Sequence, residues 1–161
     1  WKVVIASLRT RGSRRFWPPL DLKFNFVYSL PPNTYIGPIK AKDIEIVDKV
    51  WAYYNKHSYK LFESLIKHGL TYALYSLNHD ILAWTTINNA GAIGHLFCFD
   101  EHRKKGYAEF IMKYVINDLI EKKVDILAFT IEDNAKPQRL FDKLGLEVVG
   151  HDYWVFTSKK L

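Results

Sequence analysis

The sequence is short of sulfur, with one cysteine, Cys98, and one methionine in 161 residues. A single thiol excludes an intramolecular disulfide and fits a reducing, intracellular compartment, cytoplasmic or mitochondrial. No apolar run approaches the roughly 18 residues that a membrane-spanning helix needs, and no signal-peptide pattern is present. A membrane partner is therefore not expected. The six histidines are scattered and none has a Cys or His at ligand spacing, so no metal is expected. The Gly-Lys-Ser/Thr ending of a Walker loop is missing, as is the Gly-x-Gly-x-x-Gly of dinucleotide folds. Repeats and low-complexity tracts are lacking. Residue 1 is Trp, not Met, which suggests a piece of a longer chain.

Hydrophobic residues make up 48% and aromatics 16%, a composition that folds rather than one that stays disordered. A chain of this length has a prior of one domain able to bury most of its apolar surface. The net charge of +6 invites a nucleic-acid partner, but its distribution argues against one. Residues 1–20 hold Lys2, Arg9, Arg11, Arg14 and Arg15 and no acid, which leaves 18 basic against 17 acidic residues in the remainder. The body is nearly neutral.

Trp1 to Ala6 reads as a strand, Thr10 to Arg15 as a basic loop, and Leu22, Phe24, Phe26 and Tyr28 alternate as a half-buried strand does. Pro31-Pro32 marks a boundary. Residues 1–32 are expected to be the end of a preceding domain or an arm, and residues 33–161 the main domain. There the pattern predicts a strand at Tyr35 to Ile39 and helices from Lys42 to Tyr54 and Tyr59 to Lys67, the second stopped by His68-Gly69. Strands follow at Tyr72 to Leu77, Ile81 to Ile87 and Ile93 to Phe99, joined by hairpin turns. A helix over Ala108 to Lys122 leads to a strand over Val124 to Ile131, which must run parallel to the strand before the helix. A helix over Lys136 to Leu144 ends at Gly145, and the last strand is Tyr153 to Thr157, with a possible earlier start at Glu147 to Gly150. The expected class is α/β: a twisted mixed sheet with helices on both faces.

The chain turns on Leu96-Phe97-Cys98-Phe99-Asp100-Glu101-His102-Arg103-Lys104-Lys105-Gly106-Tyr107-Ala108. It reads as a strand, a polar break, a basic turn and the start of a helix. The first amides of a helix lack internal partners and sit at the positive end of its dipole, which suits a phosphate. Gly106 allows a close backbone approach, and Arg103, Lys104 and Lys105 add charge. A basic turn of this kind is more often only a solvated loop.

Arg103-x-x-Gly106-x-Ala108 after an apolar strand resembles the acyl-CoA signature of the Gcn5-related N-acetyltransferase superfamily. A second block, Asn134 to Leu146, resembles that superfamily's next motif, an Asn followed by a helix that ends in Lys-x-Gly. The separation fits as well, with one helix and one strand between the blocks. Val50-Trp51 and Ala83-Trp84 are similar to the glycine N-acyltransferase-like, FR47-like branch. The likeness covers roughly residues 34–161.

This resemblance implies an acyl-CoA-dependent N-acyltransferase, with acetyl-CoA or another acyl-CoA as co-substrate and a small amine such as glycine or another amino acid as acceptor. It puts the pantetheine arm against the backbone of Leu96, Phe97 and Cys98, and the pyrophosphate on Arg103, Lys104, Lys105, Gly106, Tyr107 and Ala108. Asn134 would reach the pantetheine, and Asn also suits a helix N-cap there. An ammonium cannot attack a thioester, so a proton acceptor is wanted. Glu101, where the branch also carries a Glu, is the expected general base, with His102 beside it as the alternative. An exposed carboxylate pairing with Arg103 or Lys105 is the plainer reading of Glu101. Many relatives carry a Tyr that protonates the leaving thiolate where this chain has Phe141. Tyr153, His151 and Tyr107 are the other candidates for that role. Trp84 and His95 lie on neighbouring strands and either line an acceptor pocket or belong to the core. Two alternatives stand beside the transferase: an acyl-CoA-binding module without turnover, and a protein N-terminal or lysine acetyltransferase.

Overall fold

Apolar residues spaced by two in the strands and by three or four in the helices build a sheet with a helical layer on each side. The computed structural model describes residues 2–8 and 26–153. The strands are β1 (Lys2–Leu8), β2 (Thr34–Gly37), β3 (Thr71–Ser76), β4 (Ile81–Ile87), β5 (Ile93–Cys98), β6 (Leu127–Ile131) and β7 (Leu146–Tyr153). The helices are α1 (Ile44–Lys49), α2 (Ser58–Lys67), α3 (Tyr107–Glu121) and α4 (Ala135–Lys143), with single 3-10 turns at Ala41–Asp43 and Asp100–His102. The strand order is β2-β3-β4-β5-β6-β1-β7. Every pair is antiparallel except β5 with β6, which is parallel across the α3 crossover, as the sequence predicts.

The two faces of β3 show how the layers form. Tyr72 and Leu74 point into the core built with α3 and α4, while Ala73 and Tyr75 point into the one built with α1 and α2. In α3, Ile111, Met112, Val115 and Ile116 are all fully buried, each worth about 1.5–3 kcal/mol against exposure.

Lys2–Leu8, from the segment expected to precede the main domain, lies within the sheet. Val3 to Ser7 pairs with β6, and Lys2 to Leu8 pairs with β7. Phe26 to Tyr28 is not a strand. The Asn117 side chain takes the Phe26 N–H at 2.9 Å and donates to the Phe26 carbonyl at 2.9 Å, in place of a ladder. Leu22 and Phe24 of that alternation, the loop at Thr10 to Arg15 and the end of the expected last strand at Thr157 lie outside the described residues.

The first helix is shorter than predicted, ending at Lys49 instead of Tyr54. Periodicity alone carries it through Trp51, but Asn55 and Ser58 set up the next helix: the Asn55 carboxamide takes the His57 N–H at 2.9 Å, and Ser58 Oγ takes the Asn55 N–H at 3.0 Å. Such side-chain bonds compete with helix continuation. β6 also starts late, at Leu127. The Val124 N–H still caps α3 at the Leu119 carbonyl, 2.9 Å away, and Lys123 is left-handed.

Replacing Ile116 by Ala should cost about 2–5 kcal/mol of stability, read as a lower midpoint in urea unfolding.

Candidate active site

β5 and β6 share one paired position, Ile93 with Ala128, and then separate. The cause lies in β5. Trp84 faces Phe97 and Thr86 faces Gly94, so Thr85 alone opposes both His95 and Leu96. An extra residue on one strand is a bulge, and it bends the strand away from its ladder. His95 accommodates it in the left-handed region at φ 52°, where His is found more often than most side chains. The fully buried Thr85 hydroxyl donates to the Gly94 carbonyl at 2.8 Å and steadies the bulge.

A cavity of about 370 Å³ opens in this gap. Gly94 to Phe97 of β5 and Phe129 to Ile131 of β6 form its sides. Trp51 and Tyr53, from the connection after α1, and Phe62 of α2 close one end, and Asn134, Pro137 and Phe141 lie along α4. Trp84 and His95 both line it. No Asp, Glu, Lys or Arg is among the described lining residues, and only His95 and Tyr53 carry a titratable side chain.

The His95 ring makes edge contacts with Trp51 and Phe62, at centroid distances of 5.0 and 5.8 Å. Its Nδ1 is 2.7 Å from Thr86 Oγ1. Burial among these groups disfavours the imidazolium and lowers the pKa from 6.5 to about 4, so the ring is neutral at neutral pH. Burial likewise raises the Tyr53 phenol. Trp84, 2% exposed, stacks on Phe97 at 4.7 Å and serves both core and cavity wall.

At the end of β5 the chain makes the Asp100–His102 turn, passes Lys104 at φ 61° and Gly106 at φ 78°, and enters α3. The helix opens with no side-chain cap, so its first amides are left for another acceptor. Lys104, Lys105 and Gly106 are exposed, while Tyr107 and Ala108 are partly covered. Arg103 folds back on β5: its Nε donates to the Cys98 carbonyl at 3.1 Å and its guanidinium pairs with Asp100. Arg103, one of the two partners expected for Glu101, is thus taken by Asp100 and buttresses the strand end. Leu96, Phe97 and Cys98 are half-buried, and burial raises the Cys98 thiol.

Glu101 is exposed on that turn and is not among the cavity-lining residues. His102 is partly buried, 6.4 Å from the Phe99 ring. Asn134 precedes α4 without a side-chain capping bond and lies at the cavity. Gln138, which the motif reading passes over, ties down the end of β6 by donating to the Ile131 and Glu132 carbonyls at 3.3 and 2.5 Å. Phe141 is buried in the cavity wall, whereas Tyr107, His151 and Tyr153 do not line the cavity. The Thr86 contact of His95 could not be read from sequence, because it depends on the bulge register.

The model of the FR47-like protein family matches residues 69–155, more than half of the chain. The chain belongs to the FR47-like family. This branch lies within the Gcn5-related N-acetyltransferases, and the FR47-like domain shares their fold. A Drosophila protein superposes with a TM-score of 0.80 at 14% identity, covering 94% of this chain and 48% of that one. A GNAT-family acetyltransferase from Novosphingobium aromaticivorans gives 0.63 at 14% identity, covering 93% and 60%. A protein of Arabidopsis thaliana, solved with a bisubstrate analogue, gives 0.59 at 14% identity, covering 69% and 82%. The FR47-like chain thus spans about half the length of the Drosophila protein. No protein of curated function matches it. Among the described residues, no helix is long and apolar enough to cross a membrane, and no group of three or more His, Cys, Asp or Glu could hold a metal ion.

The unfolded His95 takes its proton at 6.5, whereas the folded one resists until about 4. Between these values the unfolded state binds more protons, so stability rises with pH. Urea unfolding should show up to about 3 kcal/mol lost through this residue as pH falls from about 6.5 to about 4. His95→Asn should flatten that part of the curve relative to the wild type.

Proposed function

We propose that this domain transfers an acyl group from an acyl-CoA to a primary amine carried on an apolar body. The observation that carries this reading is the pairing of an apolar cavity between two parted strands with an uncapped, basic helix start at the end of one of them. Such a site has a dry end for a thioester and an anion-binding end for a pyrophosphate. The backbone of Leu96 to Cys98, left unpaired with β6, would bind the amide-rich pantetheine, because unpaired strand groups need partners. The amides of Gly106, Tyr107 and Ala108, with Lys104 and Lys105, would hold the diphosphate. Arg103 contributes by holding the loop, and Asn134 faces the arm from the α4 side.

The lack of charge among the described lining residues speaks to the acceptor. Burying a carboxylate or an ammonium without a counter-charge is costly. An amine that enters neutral on an apolar or aromatic body fits Trp51, Phe62 and Trp84 better than zwitterionic glycine does. With both offered alongside acetyl-CoA, an arylalkyl primary amine should show a kcat/KM at least tenfold above that of glycine, about 1.4 kcal/mol in the transition state. A preference for glycine would reverse this assignment.

Calorimetric titration with acetyl-CoA and CoA tests the cofactor site. The Lys104→Ala/Lys105→Ala variant should bind at least tenfold more weakly, since a hydrogen bond to a charged group contributes about 1.5–3 kcal/mol. A wild-type domain that ignores acetyl-CoA, CoA and longer acyl-CoAs alike would end the proposal. A second reading, acyl-CoA binding without turnover, is favoured by Phe141, which puts no hydroxyl at that point of the wall. Steady-state amide formation separates the two.

A further inference from the structure

We propose that His95, not Glu101, is the catalytic base: its Nε2 faces the cavity from the β5 bulge and takes the proton from the attacking amine. This assignment rests on the transferase reading above and deepens it.

Three observations converge on Nε2. First, His95 lines the cavity, and among the described lining residues the only other titratable side chain is Tyr53, a phenol made a weaker acid by burial. Second, the ring is held on every side that the structure describes. Trp51 and Phe62 pack its faces and edges from the α1 and α2 layer, and Thr86 Oγ1 engages Nδ1 from β4 at 2.7 Å. The proposed role takes the tautomer in which Nδ1–H donates to Thr86 Oγ1, which leaves the lone pair on Nε2, where no described side chain supplies a hydrogen-bond partner. Third, no charged side chain is among the described lining residues, so the ring is unprotonated at neutral pH and, weakened as a base by burial, accepts only from the strongly acidic cationic nitrogen of the adduct. Glu101 lacks these features: it is exposed on the Asp100–His102 turn, outside the cavity wall.

The neutral amine nitrogen forms a C–N bond to the thioester carbonyl, whose π electrons move to oxygen. The nitrogen, now cationic and acidic, passes a proton to His95 Nε2. The oxyanion re-forms the carbonyl and the C–S bond breaks. The CoA thiolate leaves and receives the proton from the imidazolium, which returns His95 to its starting state. The products are an amide and CoA thiol, and no group other than His95 is needed to protonate the thiolate where Phe141 cannot.

Asn is the substitution of choice, because it tolerates the left-handed backbone that His95 adopts. With acetyl-CoA and an arylalkyl amine, His95→Asn should lower kcat by about 100-fold or more, the range for loss of general base catalysis. It should bind acetyl-CoA as the wild type does, which reports an intact fold, and added imidazole should restore part of the rate. Retention of wild-type kcat by a His95→Asn protein that binds acetyl-CoA would overturn the proposal, as would loss of turnover in Glu101→Gln but not in His95→Asn. Nitrogen-15 spectra of the wild-type imidazole give a test independent of any variant. They should show the Nδ1–H tautomer, and an Nε2–H tautomer in the acetyl-CoA complex would overturn the assignment. A wild type that binds acetyl-CoA and acylates no amine would instead remove the transferase reading itself.

Discussion

Everything at this site depends on two parallel strands that meet at one position and then part. Parallel ladders draw their stability from continuous pairing, and β5 gives most of that up after Ile93. The bulge at His95 and Leu96 explains how. It keeps β5 bonded to β4 on one side, through Thr85, while turning it away from β6 on the other. The unpaired stretch is affordable because α3 packs a fully buried stripe against β3, β4 and β5, and because β1 closes the far side of β6 with five paired residues.

The same parting joins two environments that would otherwise not meet. The cavity lies where the α1–α2 layer and the α3–α4 layer both reach the gap, so Trp51 and Phe62 come from one layer and Met112 and Phe141 from the other. Past the cavity-lining Phe97 the chain leaves β5, makes the Asp100–His102 turn and enters α3, so lysines and uncapped amides lie one loop along the chain from an apolar chamber. Charge is gathered on that loop and is absent from the described residues of the wall. A phosphate would meet the first and a thioester the second, and each is the environment that its chemistry favours. The neutral state of His95 follows from its burial in this wall, where a carboxylate would have held its pKa higher.

Much of the architecture was legible in the chain. The turns at Asn78 to Asp80 and Asn88 to Gly91 bracket β4 where expected, Gly69 and Gly145 end their helices in left-handed conformations, and the helical spacing from Ile111 to Leu119 matches the buried face of α3. The basic glycine turn announced a helix start with free amides, because Gly106 and the cations are local signals. Less legible was where helices end. α1 stops early where the Trp51 N–H tightens onto the Asp48 carbonyl at 3.1 Å, a turn that periodicity does not register.

By itself the sequence determined the element order from β2 onward, the parallel crossover, the family motifs and the neutral balance of the body, all of which follow from spacing and composition along the chain. Only the tertiary structure decided that Lys2–Leu8 fills the place between β6 and β7, that Arg103 is tied to Asp100 and Cys98, and that Glu101 lies outside the cavity wall while His95 lies in it. The physical reason is the same in each case. A residue's periodicity says which face of its own element it occupies. A bulge, a strand inserted from far along the chain and the burial of a ring by other elements are set by contacts across the fold, and they leave no local mark.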